Sequence, residues 1–249
     1  MTQPQRRSIQ SCLAIIIASL ALLPASSASS QTQITWQGHT WNLTDGGMAG
    51  VAPGNPHNVS IDSNGYLHLR IMNFAGGWTA SELFTVDNLG FGTFQWVVQG
   101  DIWNMDPVTV LGLFLYGPAN GIGIDGSNEI DLEFSQWDST CGCNADFTIY
   151  PTTFRQYRST FNRDFTVSNG RNLTTARMVR SSNSVVFTLM SGDQPIGTTA
   201  NVLQTATYTS SNITNIPQQP LPVGINLWAY NADPATNQSV VIQSFQYVP

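Results

Sequence analysis

Lysine is absent from the 249-residue sequence, and glutamate occurs only three times, as Glu82, Glu129 and Glu133. Charged residues of all kinds make up 10% of the chain, and the net charge is −6. A chain so poor in cations offers no broad basic surface, which argues against nucleic acid and against an anionic membrane surface as partners. The cations that do occur crowd one stretch, at Arg155, Arg158, Arg163, Arg171, Arg177 and Arg180. The solvated face of a strand-and-loop segment explains such a cluster; contact with an anionic polysaccharide is the functional alternative.

Cysteine is nearly as scarce. Beyond Cys12 only Cys141 and Cys143 occur, which excludes a disulfide-built scaffold. Residues two apart can meet the Cα separation of a tight local disulfide in an oxidising compartment; two free thiols are the alternative. Two thiols cannot close a zinc site, and His39, His57 and His68 show no metal-ligand spacing. No metal site is expected.

Long apolar runs are missing as well. Leu13 to Leu23 is too short to span a bilayer comfortably, and no later stretch approaches about 18 apolar residues. Arg6 and Arg7 precede that run and Ser26-Ser27-Ala28 follow it, the order of an export signal cleaved near residue 28. Residues 1–28 are therefore expected to be a signal peptide, and the mature protein to be secreted or periplasmic, off the membrane and monomeric. What remains, residues 29–249, is roughly 220 residues, enough for one sizeable domain.

What is present is alternation. In Tyr66-Leu67-His68-Leu69-Arg70-Ile71 apolar residues fall at every second place, as a half-buried strand requires. Comparable runs occupy Phe91–Gln99, Val108–Tyr116, Asn128–Phe134, Phe147–Tyr150, Thr174–Arg180, Ser184–Met190, Val223–Tyr230 and Ser239–Val248. Asn64-Gly65, Gly76-Gly77, Gly117-Pro118, Ser168-Asn169-Gly170, Ser191-Gly192-Asp193 and Asp233-Pro234 punctuate them as turns. No helical period, heptad or internal repeat appears, so the fold class is all-β, a two-sheet sandwich or a barrel. Residues 198–222, rich in Thr, Ser, Asn, Gln and Pro, read as a long surface connection with room for one short strand.

Two of the three glutamates fall in one pentapeptide, Glu129-Ile130-Asp131-Leu132-Glu133. On a strand the side chains at 129, 131 and 133 share one face, while Ile130, Leu132 and Phe134 share the other. Three carboxylates in a row repel, so at least one pKa must rise. A general acid needs that raised pKa, and a nucleophile needs to stay ionised. Four residues of strand separate the two Glu Cα atoms by about 13 Å. Side chains leaning toward each other over Asp131 bring the carboxyls to about 5 Å, near the separation of retaining rather than inverting glycosidases. An acidic, solvent-facing strand is the plain alternative, which the scarcity of Glu disfavours.

With this motif the chain resembles glycoside hydrolase family 16, whose signature is Glu-x-Asp-x-Glu. The likeness covers most of residues 29–249. Phe91-Gly92-Thr93-Phe94-Gln95-Trp96 resembles the family's strand with an aromatic-Gly-x-aromatic opening, and Val110 to Tyr116 the strand before the catalytic one. Asn226-Leu227-Trp228 and Phe245-Gln246-Tyr247-Val248 resemble its closing strands. The resemblance implies a two-sheet antiparallel β-jelly-roll sandwich with a concave substrate cleft and a polysaccharide substrate. It implies Glu129 as nucleophile, Glu133 as acid/base and Asp131 as the residue that holds and tunes the pair. The motif without an extra residue before the last Glu tilts the substrate toward β-1,3/1,4-glucans. Two positions depart from the pattern: Ser127 stands where lichenase-like members carry Trp, and Met178 and Val179 stand near another expected Trp. No cofactor is implied. A structural calcium ion is compatible with the resemblance, but no acidic loop here shows a recognisable set of ligands.

Sugar rings pack on flat aromatic faces. Trp137 lies four residues beyond Glu133, beside the two cysteines; Trp103 follows the Phe91–Gln99 run; Trp228 and Tyr116 lie on strands that the resemblance places at the cleft. These four are the expected substrate-binding rings, with core packing the better reading for Trp36 and Trp41. The functional reading is a secreted, retaining, endo-acting hydrolase of β-linked glucans. A transglycosylase on the same residues and a non-catalytic lectin-like module stay open beside it, since sandwiches host binding as readily as catalysis.

Overall fold

Every second side chain of Glu129–Ser135 points into a dry core. Ile130, Leu132 and Phe134 are fully buried on one face, which locks the strand in place and turns its acidic face outward. The same alternation, repeated along the chain, builds the whole fold. The computed structural model describes residues 32–117, 128–150, 161–167 and 172–249. The expected signal peptide, Ser127, Arg155, Arg158, Arg171 and the turn at 168–170 lie outside the described residues.

Sixteen strands are described: β1 (Gln33–Trp36), β2 (His39–Leu43), β3 (Val59–Ile61), β4 (Leu67–Phe74), β5 (Gly77–Thr79), β6 (Ser81–Thr85), β7 (Gly92–Gln99), β8 (Thr109–Tyr116), β9 (Glu129–Ser135), β10 (Ala145–Ile149), β11 (Phe161–Phe165), β12 (Leu173–Arg180), β13 (Ser184–Ser191), β14 (Val202–Thr209), β15 (Val223–Ala229) and β16 (Gln238–Val248). They form two antiparallel sheets of eight strands. The first runs β1-β2-β6-β15-β8-β9-β10-β11; the second runs β14-β13-β12-β7-β16-β4-β3, with β5 paired to β4. The fold is an all-β jelly-roll sandwich. Short 3-10 turns at Pro56–Asn58, Trp137–Ser139 and Ile213–Asn215 are the helical elements among the described residues.

Aromatic rings bridge the two sheets. Phe147 of β10 stacks on Phe187 of β13, with centroids 4.5 Å apart and planes within 8°. Phe245 of β16 packs against Trp41 of β2 at 5.6 Å and against Trp96 of β7 at 5.4 Å. Trp36 and Trp41 are core residues, 3% and 0% exposed.

Three sequence expectations change here. Residues 198–222 carry a full eight-residue strand, β14, paired along β13. Among the arginines, Arg177 and Arg180 are buried rather than solvated. Arg177 donates to Gln95 Oε1 and to the carbonyls of Pro195 and Thr198; Arg180 donates to the carbonyls of Pro217 and Gln219. Both guanidiniums thus pin loops to the second sheet instead of meeting solvent or an anionic chain. Met178 points into the core of that same sheet, so the position bears on packing and not on a cleft of the first.

Candidate active site

Cross-strand register gathers the site on the outer face of the first sheet. Directly opposed residues line up in rows perpendicular to the strands, with Cβ atoms about 5 Å apart. One row reads Glu82 (β6), Asn226 (β15), Gly112 (β8), Glu133 (β9), Asp146 (β10) and Asp164 (β11). The next reads Phe84, Gly224, Phe114, Asp131 and Thr148. Beyond it Tyr116 stands opposite Glu129, and Tyr150 donates its backbone N–H to the Glu129 carbonyl at 2.9 Å.

Two glycines make room in these rows. A Cβ at Gly112 would lie 2.4 Å from Asn226 Oδ1, which accepts the Gly112 N–H at 3.1 Å. A Cβ at Gly224 would lie 2.3 Å from the Phe114 ring, which lies across that residue. The result is an open cavity of about 660 Å³. All three glutamates of the chain line it, with Asp131 between two of them.

Aromatic walls stand on either side of the acids. Phe84 meets Phe114 edge-on at 5.5 Å and Tyr116 at 6.3 Å. Across the cavity Trp137 packs edge-on against Trp228 at 6.1 Å and Tyr230 at 5.1 Å. Trp137, Trp228 and Tyr116 therefore line the cavity, as do Phe84, Phe114 and Tyr150. Trp103 does not. It is 1% exposed, its ring set edge-on against Phe134 at 4.9 Å on the core side of β9.

Trp137 owes its place to an unusual backbone. Trp137, Asp138 and Ser139 all have left-handed φ, at 47°, 55° and 59°. Each such L-residue costs roughly 1–2 kcal/mol, so the turn persists only because its surroundings hold it. The Trp137 N–H donates to Ser135 Oγ, the Asp138 N–H to the Pro107 carbonyl, and the Thr140 N–H and hydroxyl to the Trp137 carbonyl. The Cys141–Cys143 disulfide, with Cα atoms 5.1 Å apart, closes the segment. The indole N–H of Trp137 then reaches Asp146 Oδ1 at 3.1 Å. If this ring stacks on sugar, Trp137→Ala raises KM for long oligosaccharides several-fold and leaves KM for short ones nearly unchanged. Equal KM values for both lengths in variant and wild type would remove Trp137 from the binding surface.

Burial and crowding set the protonation pattern. Asp131 is 5% exposed, and its carboxyl is pushed well above the usual range by burial, then by Glu129, Glu133 and Asp146. Its hydrogen bond with Glu129 raises it further. Burial likewise raises Glu82, partly offset by hydrogen bonds from Thr44 and Asn226. Asp146, 2% exposed, is pushed up to about 7 by burial, against hydrogen bonds from Thr148 and Trp137 that favour its ionised form. Such a set can hold a nucleophilic carboxylate and a protonated acid side by side at neutral pH. Among the described residues no group of three or more His, Cys, Asp or Glu side chains is placed to hold a metal ion, and none is assigned to calcium.

Sequence reasoning named Glu129, Asp131 and Glu133, and the fold brings them together. It missed Glu82, Phe84, Phe114, Asp146, Tyr150 and Asn226 as neighbours of that triad. The scarcity of Glu was a usable signal for Glu82; the others required the strand order.

No protein-family model matches the chain, and no curated protein matches it in sequence. Solved structures do match its fold. A β-1,3-1,4-glucanase (lichenase) from a mouse hindgut metagenome superposes with a TM-score of 0.60 at 18% identity, over 84% of this chain and 92% of the other. The Bacillus licheniformis β-glucanase gives 0.60 at 19% identity over the same shares. Rv0315 of Mycobacterium tuberculosis, described as a pseudo β-1,3-glucanase, gives 0.59 at 16% identity over 82% and 88%. The chain thus has the sandwich fold of glucan-acting glycoside hydrolases.

Proposed function

We propose that the protein is a secreted, retaining, endo-acting glycoside hydrolase of β-linked glucans, belonging with glycoside hydrolase family 16. The observation that carries this reading is the buried Asp131 between Glu129 and Glu133 on the cavity floor, hydrogen-bonded to Glu129. A surface strand has no use for a carboxyl held protonated between two others. A double displacement does.

In that reaction Glu129 attacks the anomeric carbon while Glu133 protonates the departing glycosidic oxygen. Asp131 keeps its proton on the Glu129 side, which fixes the nucleophile's rotamer and lowers its basicity. Glu133, now ionised, takes a proton from water, and the hydroxide equivalent displaces Glu129 from the sugar. Aromatic walls flanking the acids suit the C–H faces of glucose rings, and Glu82 and Asn226 supply polar groups for hydroxyls. Polysaccharide binding is supported by a fold neighbour from Zobellia galactanivorans solved with laminaritriose and laminaritetraose.

The test is to incubate the protein with mixed-linkage glucan, laminarin, xyloglucan, agar and carrageenan, and to size the products. Proton NMR during the first minutes reads the anomer released. β-Anomer first is the expected result; α-anomer first excludes retention, and no product from any polymer favours a glycan-binding protein. The pseudo-glucanase among the fold neighbours makes that binding reading the specific alternative. Added acceptor oligosaccharide separates hydrolysis from transglycosylation by the appearance of longer products.

A further inference from the structure

On the Trp137 side of the cavity the aromatic ring most open to solvent lies just outside the lining. Tyr230 follows the end of β15 and is 40% exposed, whereas Trp137 is partly buried and Trp228 is only 9% exposed. Backbone covers Trp228. Gly50 has a left-handed φ of 83°, and a Cβ there would lie 2.5 Å from the Trp228 ring and 2.0 Å from the Ala229 carbonyl oxygen. The Val51 N–H donates to that carbonyl at 3.0 Å. Little of Trp228 is left for a sugar to cover, so the free aromatic area of this wall belongs to Trp137 and Tyr230.

Tyr230 is held in place from several sides. Its ring meets Trp137 at 5.1 Å with planes 85° apart, and Trp228 at 6.1 Å with planes 72° apart. Its N–H donates to the Val108 carbonyl at 2.8 Å. The next residue ties it to the left-handed turn that carries Trp137, because Asn231 Nδ2 donates to Asp138 Oδ2 at 3.1 Å. Further along, Pro234 is buried and the Ala235 N–H donates to Asp106 Oδ2 at 2.9 Å. A single exposed ring on a surface is ordinary; one fixed edge-on against two cavity rings continues the cavity wall outward. Because the ring is already ordered, a ligand that covers it loses little conformational freedom on its behalf. The segment 230–235 and the turn at 137–139 carry Asp138 and Asp233 and no Lys or Arg, so the surface suits a neutral sugar and not a sulfated one. We propose that Tyr230 is the stacking residue of an outer subsite, which takes the neutral β-glucan residue next beyond the one at Trp137 as the chain leaves the cavity. The inference rests on the reading of the cavity as a glucan-cleaving site. The C–H face of the sugar covers the ring, and the phenol hydroxyl at the ring's edge meets sugar hydroxyls.

The experiment compares Tyr230→Ala with wild type on short and long mixed-linkage gluco-oligosaccharides. KM for the long ones is expected to rise about two- to tenfold, the scale of one lost ring contact, with kcat held. KM for short ones, which the cavity alone accommodates, is expected to stay at the wild-type value. Tyr230→Phe keeps the flat face and is expected to keep the wild-type KM for both lengths. Tyr230→Leu, which keeps apolar bulk but no flat face, serves where Tyr230→Ala does not fold. A ring that only buttressed Trp137 would add nothing in a Trp137→Ala background, whereas a separate subsite adds its own rise there. An unchanged KM for long oligosaccharides in the Ala or Leu variant overturns the proposal, and so does the absence of a further rise in the double variant. Failure of the underlying reading looks different, because wild type then releases no product from any of the polymers. Binding of the same oligosaccharides is in that case measured by calorimetry. Weaker binding of the long ones by Tyr230→Ala supports the subsite on a binding protein; equal or absent binding overturns it.

Discussion

Glu129→Gln is expected to lower kcat on a β-glucan by at least about 10⁴-fold while leaving the fold intact, the scale on which removal of a covalent nucleophile acts in other enzymes. The amide is isosteric with the carboxyl and still accepts the hydrogen bond from Asp131, so neither volume nor polarity at the cavity floor changes. What disappears is the anion. Without it no covalent glycosyl-enzyme forms, and the remaining groups can only bind. A loss of 10⁴ corresponds to roughly 5.5 kcal/mol of transition-state stabilisation, too much for a hydrogen-bond defect alone. Binding of oligosaccharide, measured by calorimetry, is expected to persist in the variant. Glu129 also stops raising Asp131 by charge, so Asp131 loses part of its upward shift. Thermal stability is therefore expected to hold or to rise slightly, since a crowded negative charge has gone. Turnover within tenfold of wild type would leave Glu129 without a catalytic role and move the weight to a binding protein.

How far the sequence reached depends on what kind of information each feature needs. Face alternation is local, and it placed Ile130, Leu132 and Phe134 in the core and the three acids on the other side. Nine strands were legible because apolar residues alternate over at least four positions or run continuously. Strand β14 escaped in its full length because it is a Thr-rich edge strand, with Ala206 its one buried side chain and Leu203 and Tyr208 only partly buried. Polarity that marks a loop in one place is the dress of a sheet edge in another. β6 escaped for brevity, and with it went Glu82 and Phe84. The rows that assemble the cavity join β6, β15, β8, β9 and β10, strands far apart in the chain, and only register reveals them. Arg177 and Arg180 mislead for a related reason: a cluster in sequence says nothing about whether loop carbonyls close over it.

Trp103 separates an aromatic that binds from one that packs. Its loop position beside a long strand fits a subsite, but the ring faces Phe134 from the core side of β9, the face opposite the carboxylates. Trp103→Ala is accordingly expected to cost about 3–5 kcal/mol of unfolding free energy, the range for deleting a fully buried large aromatic. The ring supports the apolar side of the strand that carries all three acids, so its loss loosens Phe134 and, through the pleat, the spacing of Glu133 and Asp131. The indole N–H of Trp103 has no hydrogen-bond partner in the protein, so the substitution removes a buried unpaired donor as well, which trims the cost toward the lower end. In urea the midpoint falls with little change in slope, and KM for long oligosaccharides, measured well below the melting temperature, stays close to wild type. Trp137→Ala gives the reverse pattern, a raised KM with a small stability change, because that ring is only partly buried and lines the cavity. A Trp103 variant with wild-type stability and a raised KM would place the ring at the substrate and require β9 to present its other face. That outcome is incompatible with Ile130, Leu132 and Phe134 being fully buried, so the pair of substitutions tests the orientation of β9 as well as the role of one ring.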